Sequence, residues 1–484
     1  MEIGYNDTIA APATIPGSGA IGIIRISGPD TFDVVGRAVS FKKGNIEEFL
    51  GYTIHFGTVF MKDGAPLDDV LVSIFKAPHS YTGEDSAEIS FHASKYIEEQ
   101  LMFILCESGA RTAGPGEFTL RAYMNGKMDL AQAESVADII SSQNAAAHRL
   151  AFNQLRGGFS KELLEMRAEL LNMASLMELE LDFSEEDVEF ADRGRLNELL
   201  NKVLSHIQRL TDSFRLGNAI RNGIPVSIVG AANSGKSTLL NALLGEERAI
   251  VSDIPGTTRD TVEETFNING ICFRLIDTAG IRDTSETIEK IGIERSLKKL
   301  SEADIVLGVI DGSGSEEDIC DETEYIISRC DFSLQKLVLI LNKKDLYIGA
   351  IPADRRSNKN VILHNKIVSL IDNKQLIDTL RIVSISARNG DGIEEIKTIL
   401  AGLHPEILSG HDTVLVTNAR HYEALEKAAG SLEEVREGLA SSLPTDLVAQ
   451  DLRSAIDALS SITGMSITTD ELLGNIFKNF CIGK

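Results

Sequence analysis

Long apolar runs are missing from this chain of 484 residues, so no segment is expected to span a bilayer as a helix. Cysteine is sparse and unpatterned. Cys106, Cys272, Cys320, Cys330 and Cys481 form no CxxC pair, which argues against a zinc site or a disulfide framework and suits a reducing cytoplasm. Basic residues are in deficit: 47 Lys and Arg stand against 72 Asp and Glu, for a formal net charge of -25. That disfavours a surface that coats nucleic acid by bulk charge. A nucleic-acid partner needs a local basic patch or a basic partner protein. Met1 to Ala13 lack a basic stretch followed by an apolar one, so no signal peptide is expected. No internal repeat or long low-complexity stretch is present. The remaining balance, 43% hydrophobic and 25% charged, is that of a globular protein long enough for two to four domains.

Four regions can be told apart. Residues 1–120 mix short β-rich runs, Ile21 to Ile26 and Val70 to Phe75, with Gly/Pro loops and at least two helices, which predicts an α+β domain. Residues 121–218 follow helical periodicity. Leu163, Met166, Leu170, Met173, Met177 and Leu181 recur at three- to four-residue steps, as do Leu196, Leu200, Val203, Ile207, Leu210 and Phe214. Such stripes are read as bundle core. Residues 219–403 alternate strands and helices, with strands predicted at Val226 to Val229, Phe273 to Ile276, Ile305 to Ile310, Leu337 to Leu341 and Ile382 to Ile385. That is the pattern of a doubly wound, mostly parallel α/β sheet. In residues 404–484 helices return: Tyr422, Leu425, Ala429, Leu432 and Val435 share one stripe, Leu447 to Leu459 follow, then Leu472 to Phe480. Pro444-Thr445-Asp446 reads as a helix start. The simplest arrangement is an all-α domain interrupted by an inserted α/β domain.

Gly230-Ala231-Ala232-Asn233-Ser234-Gly235-Lys236-Ser237, followed by Thr238, matches GxxxxGK[ST] between a predicted strand and an apolar helix. Backbone N–H groups of such a loop wrap phosphates at a helix N-terminus. Lys236 would reach the β- and γ-phosphates and Ser237 would ligate Mg²⁺. Asp277-Thr278-Ala279-Gly280 follows a strand, where Asp277 can hold Mg²⁺ through water and the Gly280 N–H can sense the γ-phosphate. Gly256-Thr257-Thr258-Arg259-Asp260 reads as a first switch, with Thr258 completing the Mg²⁺ shell. Asn342-Lys343-Lys344-Asp345 places a carboxylate where it accepts both N1–H and N2–H₂ of guanine, which adenine lacks. Ser386-Ala387-Arg388 suits a second base-contacting loop. Each motif alone is weak; five in order predict a GTP-hydrolysing enzyme.

These motifs occur with Asp7-Thr8-Ile9-Ala10, Gly22 to Gly28, Tyr81-Thr82-Gly83-Glu84-Asp85, Gly114-Pro115-Gly116-Glu117-Phe118, Lys127 to Glu134 and the terminal Phe480-Cys481-Ile482-Gly483-Lys484. Together they resemble the MnmE (TrmE) family of tRNA-modification GTPases over essentially the whole chain. The resemblance implies a cytoplasmic homodimer that modifies C5 of the wobble uridine of certain tRNAs. It would work with MnmG (GidA), an FAD-binding partner, in a heterotetramer. A one-carbon unit of a tetrahydrofolate would become the methylene joining an amine to the base. The N-terminal domain would dimerise and hold 5-formyl-tetrahydrofolate at Arg25, Glu88, Lys127 and Lys484. Those residue types suit a ligand with a carboxylate tail and pterin N–H donors. Cys481 matches the family's C-terminal cysteine, as nucleophile or as structural support; alone it reads as a small hydrophobe beside Phe480.

The position that carries a water-orienting Gln in Ras-like proteins is Ile281, which cannot hydrogen-bond water. The resemblance implies K⁺ in place of an arginine finger. Its ligands would be the side chain of Asn233 and carbonyls of Ser252, Ile254 and Thr257 in the loop that also holds Asp253, Pro255 and Gly256. Asn233 reads equally well as a P-loop turn residue. Ser252 stands where the family has threonine, which leaves a carbonyl contact intact. Glu289 matches the family's catalytic glutamate; Arg282 is given only a switch role. Two other readings stay open: a regulatory GTPase for ribosome assembly, which the acidic charge and the FCIGK terminus disfavour, and a conformational timer whose partner does all the tRNA chemistry.

Overall fold

The structure is a computed structural model. It describes residues 7–182, 193–245, 264–276, 300, 302–333, 335–348, 380–404, 414–441, 443–465, 476–477, 480 and 483. The chain forms two compact units: residues 1–141, 151–209 and 423–484 make the first, and residues 142–150 and 210–422 make the second.

The first unit opens with a seven-stranded sheet ordered β3-β4-β5-β6-β2-β1-β7. Its strands are β1 (Ile9–Pro12), β2 (Gly22–Ser27), β3 (Val39–Phe41), β4 (Thr53–Phe60), β5 (Pro66–Phe75), β6 (Ser86–Phe91) and β7 (Arg111–Thr112). Every pairing is antiparallel except β1 with β7. The alternation in β5 shows why: Val70, Val72 and Ile74 point into the core while Leu71 stays half-exposed. Two helices, α1 (Thr31–Ala38) and α2 (Lys95–Glu107), bury Val34, Val35, Leu101 and Leu105 in the same core. This is the α+β fold that the short runs predicted.

Then come α3 (Glu117–Met124), α4 (Leu130–Ser141), α5 (Ala145–Leu155), α6 (Gly158–Asp182) and α7 (Arg193–Asp212). The predicted stripe on α6 is buried at Leu163, Met166, Leu170, Met173 and Met177, and that on α7 at Leu196, Leu200, Val203, Ile207 and Leu210. The side chain of Leu181 lies outside the described residues. Phe214 does not continue the α7 stripe: the helix stops at Asp212, and α8 (Phe214–Asn222) begins separately.

The second unit carries a six-stranded sheet ordered β13-β12-β11-β8-β10-β9. These are β8 (Ile224–Val229), β9 (Glu264–Ile268), β10 (Ile271–Ile276), β11 (Ile305–Asp311), β12 (Lys336–Asn342) and β13 (Arg381–Ser384). All pairs are parallel except β9 with β10. Both faces are covered, so alternate residues of one strand serve two cores. Leu307 and Val309 join one cluster, and Val306 and Ile310 join the other. Strand β9 was not legible as a strand; it hangs on a two-residue turn in which Asn269 (φ 51°) and Gly270 (φ 81°) are both left-handed. Among the described residues, the helices that follow α8 in this unit include α9 (Lys236–Leu244), α10 (Glu316–Ile327), α11 (Lys344–Ile348) and α12 (Ile393–Gly402).

The chain's two long passages through this unit are fastened to each other. A Cβ on Gly217 of α8 would stand 2.1 Å from the Val416 carbonyl oxygen, so only glycine permits this approach. Val416 N–H donates to Ser213 Oγ at 3.1 Å, and the Phe214 and Tyr422 rings stack 4.5 Å apart. The last helices are α13 (Ala419–Ala440) and α14 (Thr445–Thr463), the latter opened by Pro444. Most of the Leu472 to Phe480 segment lies outside the described residues. Among the described residues no helix is long and apolar enough to cross a membrane.

Candidate functional site

The phosphate loop runs from the end of β8 to the first turn of α9. Asn233 (φ 63°) and Gly235 (φ 101°) are left-handed, which turns successive N–H groups toward one side. Gly235 admits no side chain: a Cβ there would meet Asn342 Nδ2 at 2.0 Å. Ser234 is 1% exposed, whereas Asn233, Ser237 and Thr238 are exposed at the mouth. The Lys236 ammonium folds back and donates to the carbonyls of Gly230 (2.9 Å) and Ala231 (2.7 Å). Burial lowers its pKa below the usual lysine range, and Glu322 on α10 opposes that shift.

A second set of loops stands beside it. Asn342, 3% exposed at the end of β12, donates from Nδ2 to the Ser234 carbonyl at 2.9 Å and accepts at Oδ1 from the Ala387 N–H at 3.0 Å. Asp345 is exposed, and its Oδ1 accepts from Ser386 Oγ at 2.6 Å. Lys344 N–H donates to the Ile385 carbonyl at 2.9 Å, which binds the two base loops together. Lys343 is left-handed (φ 62°), and its ammonium pairs with Asp311 at the end of β11. Burial alone would raise the Asp311 carboxyl; Lys343 and Ser313 together hold it below the usual range. Asp311 and Glu322 were not picked out from sequence. The Asp311-Gly312-Ser313 turn after a strand was the only signal, and it names no chemistry. Arg388 is exposed on the same loop.

The structure therefore brings together Asn233 to Thr238, Asn342 to Asp345 and Ser386 to Arg388. Ser252 to Thr258, Asp277 to Gly280, Ile281, Arg282 and Glu289 lie outside the described residues.

In the first unit, Arg25 and Glu88 are cross-strand neighbours on β2 and β6. Arg25 Nε and Nη2 donate to Glu88 Oε1 at 2.9 and 2.8 Å, and Nη1 to the Gly483 carbonyl at 3.4 Å. The guanidinium lies 5.4 Å from the Tyr81 ring centre and 5.8 Å from that of Phe118. Lys127 Nζ donates to the Pro78 carbonyl at 2.9 Å, in the loop that also carries Tyr81. Cys481 and Lys484 lie outside the described residues.

Beneath this site is a group the sequence did not announce. The Arg121 side chain, 1% exposed, pairs with Asp7 (2.6 Å), Glu84 (3.3 Å) and Glu117 (3.1 Å). Arg111 binds Asp7 and Glu117 as well, at 2.7 Å each. Glu84 also accepts from Ser27 Oγ at 2.8 Å. The separate motifs around residues 7, 84 and 117 thus share one buried cation.

A parallel sheet with a P-loop at its first helix, and an Asn–Asp pair tied to a Ser–Ala loop, define a guanine-nucleotide-binding GTPase. Two family descriptions match the chain. The TrmE N-terminus, described as that of a GTP-binding protein, matches residues 8–127, and the MnmE helical domain matches residues 130–481. The tRNA modification GTPase MnmE of Bacteroides thetaiotaomicron is 48% identical over 480 residues, covering 99% of each chain. The protein of that name from Flavobacterium johnsoniae is 47% identical over 484 residues, again with 99% of each chain covered. The chain belongs to the MnmE family of tRNA modification GTPases.

Proposed function

We propose that this protein hydrolyses GTP to drive modification of the wobble uridine of certain tRNAs at C5. It acts as a homodimer with an FAD-dependent partner of the MnmG type, and it uses a tetrahydrofolate one-carbon unit. The observation that carries the GTPase reading is the Asn342 bridge from the P-loop to the Ala387 loop, with Asp345 held by Ser386 beside it. Kinship over the full chain supports tRNA as the target.

The chain's own residues divide the work. Lys236 exchanges the Gly230 and Ala231 carbonyls for phosphate oxygens, and the N–H groups of the loop bind the remaining phosphate charge. Asp345, held at one carboxylate oxygen by Ser386, accepts the guanine N–H groups with the other. The exposed Ser237 hydroxyl, in the first turn of α9 beside Lys236, fits a Mg²⁺ ligand, with Thr258 and Asp277 completing the shell. When bound, Mg²⁺ neutralises charge on the phosphates. Asn233, with carbonyls of Ser252, Ile254 and Thr257, is the proposed K⁺ set, and the exposed Asn233 side chain at the loop mouth is compatible with that role. Glu289 orients the attacking water, since Ile281 cannot.

Arg25, Glu88, Lys127 and Lys484 are the proposed folate contacts. The Tyr81 ring beside Arg25 suits a ligand that combines a ring with a carboxylate. Cys481 is the proposed C-terminal contributor, as nucleophile or as structural support.

Mass spectrometry of tRNA nucleosides tests the proposal. In cells lacking the gene, the C5-aminomethyl-type wobble uridine disappears and returns when the intact chain is supplied. An unchanged nucleoside profile would overturn the tRNA reading and leave only a GTPase.

A further inference from the structure

The chain passes from β12 to α11 through a single residue. β12 ends at Asn342, α11 begins at Lys344, and Lys343 alone makes the turn with φ 62°. A residue with a Cβ takes this left-handed conformation at a cost, and keeps it only where its surroundings impose it. Such a cost is tolerated where a ligand contact depends on the turn. Here the dependent group is Asp345, two residues on, whose Oδ1 is already taken by Ser386 Oγ at 2.6 Å. The direction of its other oxygen follows from how the chain leaves Lys343.

What imposes the turn comes from the neighbouring strand. Asp311, the last residue of β11, lies opposite Asn342 in the parallel register. The Lys343 ammonium pairs with Asp311 Oδ2, and each side chain is only 29% exposed. That sets the pair apart from surface ion pairs, whose charges water screens. Asp311 is itself held. Its Oδ1 accepts from the Ser313 N–H at 3.0 Å and from Ser313 Oγ at 2.6 Å, so its two oxygens are divided between its own turn and the lysine. Beside it, the Gly312 N–H donates to the Asn342 carbonyl at 3.0 Å. A Cβ on Gly312 would stand 2.5 Å from Tyr347 Cε1 and 2.9 Å from the Asn342 oxygen, so only a glycine lets α11 close on this turn. The turn at Asp311 to Ser313 is thus a platform beneath residues 342–347, and its ion pair falls on the strained residue. The P-loop is reached separately, through Asn342 Nδ2.

We infer that Asp311 is a positioning residue for guanine selection: by holding Lys343 in its left-handed turn it aims the free Asp345 oxygen at the base, an inference that rests on the guanine reading of that loop. Asp311 acts through Lys343 rather than on the nucleotide. Without that hold the turn relaxes, and the carboxylate no longer meets both guanine donors.

The test uses the full chain with fluorescent and unlabelled nucleotides. Asp311→Asn keeps the Ser313 contacts, because an amide oxygen still accepts from both, and turns an N–H group toward the Lys343 ammonium. It is expected to release GDP roughly tenfold faster. It is also expected to narrow, by about as much, the preference for GDP over IDP, which lacks the 2-amino group. Affinity for inorganic pyrophosphate, which reads the P-loop alone, is expected to stay at the parental value. A loss of pyrophosphate affinity as large as that of GDP would place the effect in the P-loop and overturn the inference.

Lys343→Gly separates positioning from plain support. Glycine takes the left-handed turn without cost, so adding Asp311→Asn to Lys343→Gly is expected to change neither GDP release nor the preference over IDP. The same tenfold loss in both backgrounds would mean that Asp311 supports only its own turn, and the inference would fall. ADP distinguishes the two levels of failure. A parent chain that binds ADP as tightly as GDP overturns the guanine reading and the inference with it. A parent that prefers GDP, beside an Asp311→Asn variant with parental release and parental preference, overturns the inference alone.

Discussion

Asn342 reaches from the end of β12 into the phosphate loop, where its Nδ2 donates to the Ser234 carbonyl at 2.9 Å. Its Oδ1 takes the Ala387 N–H at 3.0 Å. One buried amide thus sets the distance between the phosphate and base subsites. Asn342→Ala leaves both backbone groups without that partner, at a cost of about 1–3 kcal/mol each. We expect GDP affinity to fall by roughly a hundredfold, and the nucleotide-free protein to melt at lower temperature. Fluorescence titration and a thermal melt decide it. An unchanged melt with weakened binding would mean that Asn342 acts on the ligand alone.

Asp345 is the base-selecting residue. Its exposed carboxylate is fixed at one oxygen by Ser386 and free to accept guanine N–H groups with the other. Asp345→Asn turns one acceptor into a donor, which matches the 2-oxo group of xanthine and opposes the guanine amine. The variant is expected to lose GDP affinity by ~10³-fold or more and to gain XDP binding. Competition between GDP and XDP for a fluorescent nucleotide measures the exchange of preference. A variant that still prefers GDP would remove Asp345 from the base contact.

Much of this was legible in the sequence, for a physical reason. Buried parallel strands such as Ile305–Asp311 and Lys336–Asn342 are continuous apolar runs bounded by polar loops, and the P-loop needs fixed glycines at fixed spacing. Helical stripes at Leu163 to Met177 were equally plain. Strands β4 and β9 were harder. Each keeps one face polar or exposed, and β9 gains its partner only through the Asn269-Gly270 turn. Least legible were roles set by tertiary position. Nothing around Arg121 distinguishes it from a surface arginine on an amphipathic helix, because its three carboxylates come from residues 7, 84 and 117.

Arg121 gives a stability prediction. Arg121→Leu fills the space with an apolar side chain but leaves Glu84 and Glu117, whose side chains are 16% and 6% exposed, without this cation. Breaking a buried pair by removing one partner costs about 3–5 kcal/mol. A fall in melting temperature on the order of 10 °C is expected for the first unit. GDP binding, which depends on loops of the second unit, is expected to persist. A melt within a degree or two of the parent would show that Arg111 alone satisfies the cluster.

The same cluster sets the response to acid. Burial raises the carboxyl groups of Asp7 and Glu117, but hydrogen bonds and charge from Arg111 and Arg121 outweigh it, and both end below their usual values. In the second unit, burial of Asp304 is outweighed in the same sense by His404 and Arg215. A carboxyl whose folded pKa lies below its unfolded value binds fewer protons in the native state. Its contribution is therefore complete above the unfolded value, about 4, and is lost as pH falls through the folded one. Melting temperature should hold steady from neutral pH down to about 5 as far as these groups are concerned, then drop steeply toward pH 3. Arg121→Leu removes part of the cause, so its curve should start lower and fall less steeply over the same interval. Circular dichroism melts of both proteins across that range measure the two slopes. If they were equal, Arg121 would not be what lowers the Asp7 and Glu117 carboxyls, and the network would be held by Arg111.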